Sequence, residues 1–269
     1  MGRAPVRVGV GFAQSSYMAR PPTVGGFLAF LLIAGLSGPG VAGAQPQGNP
    51  DFLFERPSGS VGVRGGWLFE RERSDLFTFV QEQFTIEPDD FDAPTLAFDV
   101  GVAVAPRTEA VFGVEFSGGT VRSEYRDLLD NDRLPISQAT RLRQANLSLS
   151  LKLALTPRGR DIGNLAWVPS AATPYVGAGA GALWYEFHQT GDFVDFLDSS
   201  VFTDTFQSNG WAPSAHIFAG VDVKLARRLF LSGEGRYLWS QAELGPDFTS
   251  FDPIDLTGFK LTAGINYLF

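Results

Sequence analysis

From residue 59 onward, apolar and polar residues alternate along the chain with a period of two. The clearest case is the segment 140–155, in which leucine occupies every second position from Leu147 to Leu155, with small or polar residues between them. Such alternation places successive side chains on opposite faces of a β-strand. The pattern predicts eight strands, over residues 59–70, 95–105, 109–121, 140–155, 174–188, 212–225, 228–240 and 258–269.

The connections between these strands alternate in length. Strands two and three, and strands six and seven, are joined by tight turns. Long connections join strands one and two, three and four, five and six, and seven and eight. An even number of strands with short turns at one end and long loops at the other is typical of an outer-membrane barrel. We therefore predict an all-β fold, an eight-stranded antiparallel transmembrane β-barrel with long extracellular loops. The link 156–173 is longer than a short turn and predicts a small insertion or a structured turn.

The two faces of the predicted strands differ in charge. One face carries nine charged residues, and the other carries none over its central span. A soluble lipocalin-like barrel shows the same alternation, but an outer surface without charge would aggregate. The charges are therefore expected inside, as a lumenal ion-pair network, because buried charges are tolerated only when paired. Its predicted members are Arg64, Asp99, Glu115, Lys152, Asp222, Lys224, Glu234, Arg236 and Lys260. Aromatic residues near the long-loop ends predict an interfacial girdle: Trp67, Phe69, Trp184, Tyr237 and Trp239.

The first 44 residues have the layout of a secretory leader. A basic segment after Met18 is followed by an apolar run too short to span a bilayer and by small residues up to Ala44. We expect translation to start at Met18 and cleavage to follow Ala44, so that 1–44 is a leader with a cleaved signal peptide. Residues 45–58 then form a periplasmic lead-in and residues 59–269 the barrel.

The last strand is apolar at alternate positions and ends on an aromatic residue. The alternate residues are Leu261, Ala263, Ile265, Tyr267 and Phe269. They resemble the C-terminal assembly signal of bacterial outer-membrane proteins, and the layout resembles the small OmpA/OmpW-type eight-stranded barrels. The resemblance implies a Gram-negative-type outer membrane, insertion by the barrel-assembly machinery and contact with outer-membrane lipid and lipopolysaccharide. OmpW-type proteins are associated with passage of small apolar compounds. No domain is expected after the eighth strand.

Composition narrows the chemistry. The 29 acidic residues outnumber the 21 basic ones, which disfavours nucleic-acid binding, and the absence of Cys excludes thiolate metal sites. No cofactor and no metal are predicted. His216 shares a face with Ser214, which is an arrangement that a lipid hydrolase or acyltransferase could use. Both residues face the lumen, however, and no acid is placed to orient the histidine. His188 is expected as an exposed polar residue of the outer rim. No catalytic residue is predicted.

The long loops contain recurrent phenylalanine and aspartate. Ser74 is predicted to cap a short helix whose apolar side contains Leu76, Phe79, Val80 and Phe84. The candidate loop-binding residues are Phe193, Phe196, Phe202, Phe206, Phe248 and Phe251. Either these loops pack on one another, or they form an apolar floor with an acidic rim that binds a ligand. At the outer end of the fourth strand, Arg141 and Arg143 are candidates for contact with lipopolysaccharide phosphates.

Three functions remain open at this point. The first is a monomeric, non-enzymatic outer-membrane barrel with a salt-bridged, closed lumen and a loop cap for surface binding or envelope structure. The second is a narrow gated pore or facilitator for small or apolar solutes, and the third is the lipid hydrolase or acyltransferase. The lumenal ion pairs and the missing acid favour the first over the third.

Overall fold

The computed structural model describes residues 52–71, 73–130, 132–163, 166–195 and 200–269. The leader, its cleavage site and the first part of the lead-in, predicted within residues 1–51, lie outside the described residues. Eleven strands are described: β1 (Gly59–Glu70), β2 (Ala93–Ala105), β3 (Thr108–Leu129), β4 (Pro135–Ala154), β5 (Gly159–Ile162), β6 (Ala166–Pro169), β7 (Ala172–Val194), β8 (Val201–Lys224), β9 (Leu229–Ala242), β10 (Ile254–Asp255) and β11 (Gly258–Leu268).

Eight of these strands close into a ring. Strands β1, β2, β3, β4, β7, β8, β9 and β11 each pair antiparallel with the next along the chain. The ring closes between β1 and β11, which pair without interruption from Ser60 opposite Leu268 to Glu70 opposite Gly258. The predicted eight-stranded antiparallel barrel is confirmed. The end with the short turns is assigned to the periplasm and the end with the long connections to the cell exterior.

Four of the strands are longer than the alternation predicted. Strands β3, β4, β7 and β8 contain 22, 20, 23 and 24 residues. The predictions ended where apolar residues stop alternating, which marks the edge of the lipid rather than the end of the ladder. Beyond that edge β7 and β8 stay paired up to Val194 opposite Val201. Part of the predicted loop between β3 and β4, and part of the one between β7 and β8, is therefore strand.

The long link after β4 is a small hairpin. Strands β5 and β6 pair with each other and not with the barrel. The backbone of Leu53 exchanges two hydrogen bonds with that of Trp167, at 2.8 and 2.7 Å, which attaches the lead-in to the hairpin. The indole ring of Trp167 lies so close to Gly159 that a side chain there would overlap it. The extra residues of this link thus form a structured periplasmic element.

The extracellular end contains the remaining elements. Helix α1 (Asp75–Gln83) and a short 3-10 helix (Pro88–Phe91) lie between β1 and β2, and a second 3-10 helix (Pro246–Phe248) lies between β9 and β10. No helix among the described residues is long and apolar enough to cross a membrane.

The two faces of the barrel wall are inverted relative to a soluble protein. Leu149 is 64% exposed and Ile217 is 53% exposed on the outside, whereas Arg64 and Lys260 are only 4% and 1% exposed. Nonpolar side chains facing outward belong against lipid tails, and the polar side chains fill the interior. Toward the extracellular end the outer surface carries aromatic rings: Trp67, Phe69, Phe116, Trp184, Trp211, Tyr237, Trp239 and Phe259.

We expect Leu149→Arg to destabilise the folded barrel by about 2–4 kcal/mol, because the substitution places a charge in the middle of the lipid-facing belt. Gln207→Arg is the matched control: it adds the same side chain to the outer face of the barrel, on β8, but beyond the aromatic row. Denaturant unfolding in lipid vesicles measures both. Equal destabilisation by the two substitutions would contradict the assignment of the lipid-facing surface.

Candidate functional site

The lumen contains a hydrogen-bonded charge network centred on Glu234. The guanidinium of Arg64 contacts Glu234 and also donates from Nε to Asp99 at 2.8 Å. Glu234 also accepts from Nη2 of Arg236 at 2.9 Å and from the hydroxyl of Tyr175 at 3.1 Å. One carboxylate thereby joins side chains of β1, β7 and β9, and through Arg64 reaches β2. Each charge in the network has a partner of opposite sign, as burial requires.

Two further ion pairs cross the lumen. Lys260 on β11 contacts Glu115 on β3, and both side chains are almost completely buried. Lys152 on β4 lies 2.7 Å from Asp222 on β8. Neither pair joins neighbouring strands, so each crosses the interior between two separate parts of the wall. Eight strands leave an interior that side chains nearly fill, and these ion pairs occupy part of it.

The periplasmic mouth holds a pair that the sequence did not reveal. Arg158, which precedes β5, lies 2.9 Å from Glu109 at the start of β3. A cavity of about 20 Å³ beside them is also lined by Lys152 and Asp222, and it has room for about one water molecule. The position of Glu109 on the inward parity of β3 was a usable signal. Arg158 lies in the irregular link and had none. Lys224 lies at the periplasmic end of β8 and is partly exposed.

Glycines on the inner face of β7 provide the space for these side chains. A Cβ atom at Gly177 would lie 2.1 Å from the ring of Phe218, and one at Gly179 would lie 2.7 Å from Nε2 of His216. The Phe218 ring in turn stacks under the guanidinium of Arg236, whose Cζ is 5.0 Å from the ring centroid. The alternating glycine and alanine in this strand therefore reflect a crowded lumen on one side and lipid on the other.

Ser214 and His216 do not form a catalytic pair. The Oγ of Ser150 lies 2.9 Å from Nε2 of His216, and Ser214 instead donates to Oδ1 of Asn146 at 2.8 Å. Within the described part of the chain, Nδ1 of His216 has no hydrogen-bond partner, so no acid orients the ring. This geometry agrees with a structural role for both residues. His188 lies on the outer face of β7, partly exposed.

The extracellular ends of the strands enclose an apolar core. Leu76, Phe77 and Val80 of α1 are buried in it. Phe79, predicted on the same side, is 38% exposed and packs edge-on against Phe251 instead. Three of the four predicted residues, Leu76, Val80 and Phe84, are buried as expected. Phe77 takes the inward position instead of Phe79, because it meets Phe91 and Phe187 there.

The start of α1 also differs from the prediction. Ser74 is the N-cap residue with extended backbone, yet its hydroxyl makes no capping hydrogen bond. The carboxylate of Asp75 accepts the N–H of Leu76 at 2.9 Å and the N–H of Asp252 at 3.1 Å. The acid thus satisfies a free amide of the helix start and fastens the helix to the loop after β9.

The loop phenylalanines pack on one another. Phe193 lies 4.8 Å from Phe206 between ring centroids, and Phe206 lies 6.4 Å from Phe248. Phe248 also meets Phe187 at 5.5 Å and Phe251 at 6.3 Å, and Phe193 meets Phe202 at 6.1 Å. Phe196 lies outside the described residues. These described rings form a chain of aromatic contacts at the extracellular ends of the strands, and this part of the protein is called the cap below.

Acidic and phenolic groups of the cap satisfy backbone and hydroxyl groups. Asp192 accepts the hydroxyl of Thr203 at 2.6 Å, and Asp247 accepts the N–H of Gln207 at 3.0 Å. Burial raises the pKa of the Tyr125 hydroxyl above its usual value, so this group stays neutral inside the cap. Within the described residues, no group of three or more acidic or histidine side chains is placed to hold a metal ion.

The buried pair of Glu115 and Lys260 gives a test of the network. Glu115→Ala leaves an unpaired ammonium in the lumen, and we expect it to lower the free energy of unfolding by about 3–5 kcal/mol. Replacing both partners, in Glu115→Leu/Lys260→Met, removes both charges and is expected to recover most of that loss. Urea unfolding of the reconstituted barrel measures both. A double variant as unstable as Glu115→Ala would show that the pair is not coupled.

The cap is tested by a cavity-forming substitution. We expect Phe248→Ala to remove packing worth about 3–5 kcal/mol and to open the cap locally. The readout is limited proteolysis of the folded protein, with cleavage in the segments around α1 and the β7–β8 connection at least tenfold faster. Leu134→Ala is the control, because Leu134 is 58% exposed in the same extracellular region. Equal protease resistance of both variants would argue against a packed cap.

These features define a transmembrane β-barrel: a closed ring of eight strands, an apolar outer belt and a polar interior. No protein-family profile and no curated protein sequence matches the chain. Solved structures similar to it include the outer membrane protein OprG from Pseudomonas aeruginosa, at 13% identity over 81% of this chain and 99% of that chain, with a TM-score of 0.42. Neisserial surface protein A is 12% identical over 80% of this chain and 100% of that chain, with a TM-score of 0.41.

The outer membrane protease OmpT from Escherichia coli is 7% identical over 81% of this chain and 98% of that chain, with a TM-score of 0.36. These structures are outer-membrane barrels, as the sequence resemblance implied. Similarity at this level concerns the fold alone, and function has to be argued from the residues of this chain.

Proposed function

We propose that this chain is a monomeric, non-enzymatic outer-membrane protein whose lumen is occluded and whose extracellular cap is a rigid platform for surface binding or envelope structure. The observation that carries the proposal is the network around Glu234. It joins side chains of four strands inside the membrane-spanning part of the barrel.

Occlusion by this network follows from its connectivity. A solute path along the barrel axis would require Arg64 to leave either Asp99 or Glu234, and Lys260 to leave Glu115. Each separation exposes a charge that is paired and buried in the closed state, which is costly unless water replaces the partner. The crowding of Phe218 and His216 against the glycines of β7 leaves little room for that water.

The cap supports the same proposal from the other end. A solute entering from outside would first displace the packed rings around Phe248, and then the ion pairs below them. A cap with a core of its own is also suited to present a fixed outer surface, because its exposed residues are held by the buried ones.

The enzymatic alternative lacks geometric support. Ser214 and His216 have separate partners, and both face the lumen rather than the lipid, where an acyl chain would approach.

Export and assembly belong to the proposal as well. The outward alternation of β11 continues to Phe269, directly after the strand, whose backbone oxygen accepts the N–H of Ser58 at 2.8 Å. A C-terminal strand of this kind is what we propose the barrel-assembly machinery recognises.

Conductance in a planar bilayer tests the occluded lumen. We expect the folded wild-type protein to give no discrete current steps. Glu234→Ala/Phe248→Ala, which lacks both the lumenal centre and a main ring of the cap, is expected to give steps. Arg160→Ala is the control, because it removes a charge from the exposed periplasmic hairpin without touching either region. Wild-type steps that grow in Glu234→Ala or Arg236→Ala would overturn the proposal in favour of a gated pore.

A further inference from the structure

Three arginines lie together on the outer wall of the barrel, beyond the lipid-facing belt. Arg143 and Arg141 occupy the outward parity of β4, and Arg122 occupies the outward parity of β3. Arg122 and Arg143 are exposed and Arg141 is partly exposed. These three residues are called the arginine face below. Only two of them were candidates from the sequence, because the extension of β3 beyond residue 121 was not predicted.

The strand register places the three side chains close together. Arg141 is opposite Thr120 on β3, and Arg122 lies two residues beyond Thr120 on the same face. Diagonal neighbours of this kind are about 7–8 Å apart, and successive outward residues of one strand have a similar spacing. Long guanidinium side chains at such distances reach a common ligand.

The arginine face has few charges to neutralise it. On the adjacent strand β7, Glu186 is opposite Arg143 and His188 is opposite Arg141. Within the described residues, none of the three guanidinium groups lies within 4.0 Å of a carboxylate oxygen. On β3 itself, Glu124 is exposed on the same face two residues beyond Arg122. Two acids beside three arginines still leave a net positive surface. Charge complementarity therefore requires an anionic occupant.

The height of the arginine face on the barrel wall indicates which anions lie next to it. Ala145, the outward residue of β4 just before Arg143, is in register with Trp184 and Trp211 in the aromatic row. Aromatic rows mark the level where lipid headgroups begin. Each further pair of strand residues rises by about 5 Å along a tilted strand. The arginines therefore start at the headgroup level and extend above it, facing sideways into the membrane plane.

We propose that the arginine face binds the phosphate groups of an outer-leaflet phosphoglycolipid. Guanidinium groups form paired, charge-assisted hydrogen bonds with phosphate, and they do so better than ammonium groups because of their planar fork. The tryptophans directly below offer apolar contact for the start of the acyl chains. A soluble anion could use only the charges, whereas a lipid uses both. This inference rests on the proposed outer-membrane location, but not on the occluded lumen.

Binding to defined lipids tests the inference. The wild-type barrel is placed in phosphatidylcholine nanodiscs with bisphosphorylated lipid A, monophosphorylated lipid A or phosphate-free glycolipid, and bound lipid is counted by native mass spectrometry. We expect retention of the bisphosphorylated form at least tenfold above the phosphate-free form. Arg122→Gln/Arg141→Gln/Arg143→Gln is expected to lose that preference.

Two further variants keep the test specific. Arg107→Gln/Arg160→Gln/Arg227→Gln removes the same charge from the periplasmic end and is expected to leave the preference unchanged. Glu186→Gln, which removes the acid opposite Arg143, is expected to increase retention. Heat-modifiable gel mobility confirms that each variant is folded.

Two results would overturn the inference. One is equal retention by the wild type and the arginine-face variant. The other is displacement of the lipid by millimolar inorganic phosphate or glucose 1-phosphate, which would show that a soluble anion fills the site as well. Neither result bears on conductance, so failure here is separable from failure of the proposed lumen.

Discussion

The structure depends on one constraint, that every backbone N–H and C=O inside a membrane needs a partner within the protein. The uninterrupted pairing of β1 with β11 meets it, because it leaves no free edge in the ring. Closure with eight strands fixes the size of the interior, and that size decides what the lumen can contain. It also gives each strand two constant environments, lipid outside and a narrow polar space inside. The alternation that runs through the sequence is the consequence.

The narrow interior explains why the lumenal charges occur as a set. A lone arginine at the position of Arg64 would be buried without compensation, so Asp99 and Glu234 are needed together with it. Glu234 also pairs with Arg236, whose guanidinium lies over the ring of Phe218. That ring fits only because Gly177 has no side chain. Removing one member therefore disturbs residues on several strands. Packing and electrostatics are satisfied by the same few positions.

This dependence also explains what the sequence could predict. Parity identified the eight strands and the inward face of residues such as Glu115 and Lys260, since it needs only local spacing. Which residues meet across the lumen depends on register and strand tilt. A local pattern therefore could not predict the ion pair between these two side chains, one on β3 and the other on β11. The upper halves of β7 and β8 were missed because the outer face changes there from lipid to water while pairing continues. The choice of Phe77 over Phe79, and of Asp75 over Ser74 at the helix start, is decided by neighbours distant in sequence.

The ion pairs formed by Glu234, Glu115 and Asp222 in the lumen direct attention to the outside of the molecule. Charges that are fully paired within the lumen have little left to offer a ligand, and the histidine there hydrogen-bonds a serine of another strand. Likewise, the phenylalanine rings of the cap pack against one another and against the apolar core there. Arg122, Arg141 and Arg143 are different, because they lie on the outward face of β3 and β4 and are exposed or partly exposed. Arginines on the outward face beside tryptophans can contact only molecules that surround the barrel. At that height the neighbour is the outer leaflet, so we infer that the barrel surface acts through its membrane-facing side as well as through its cap.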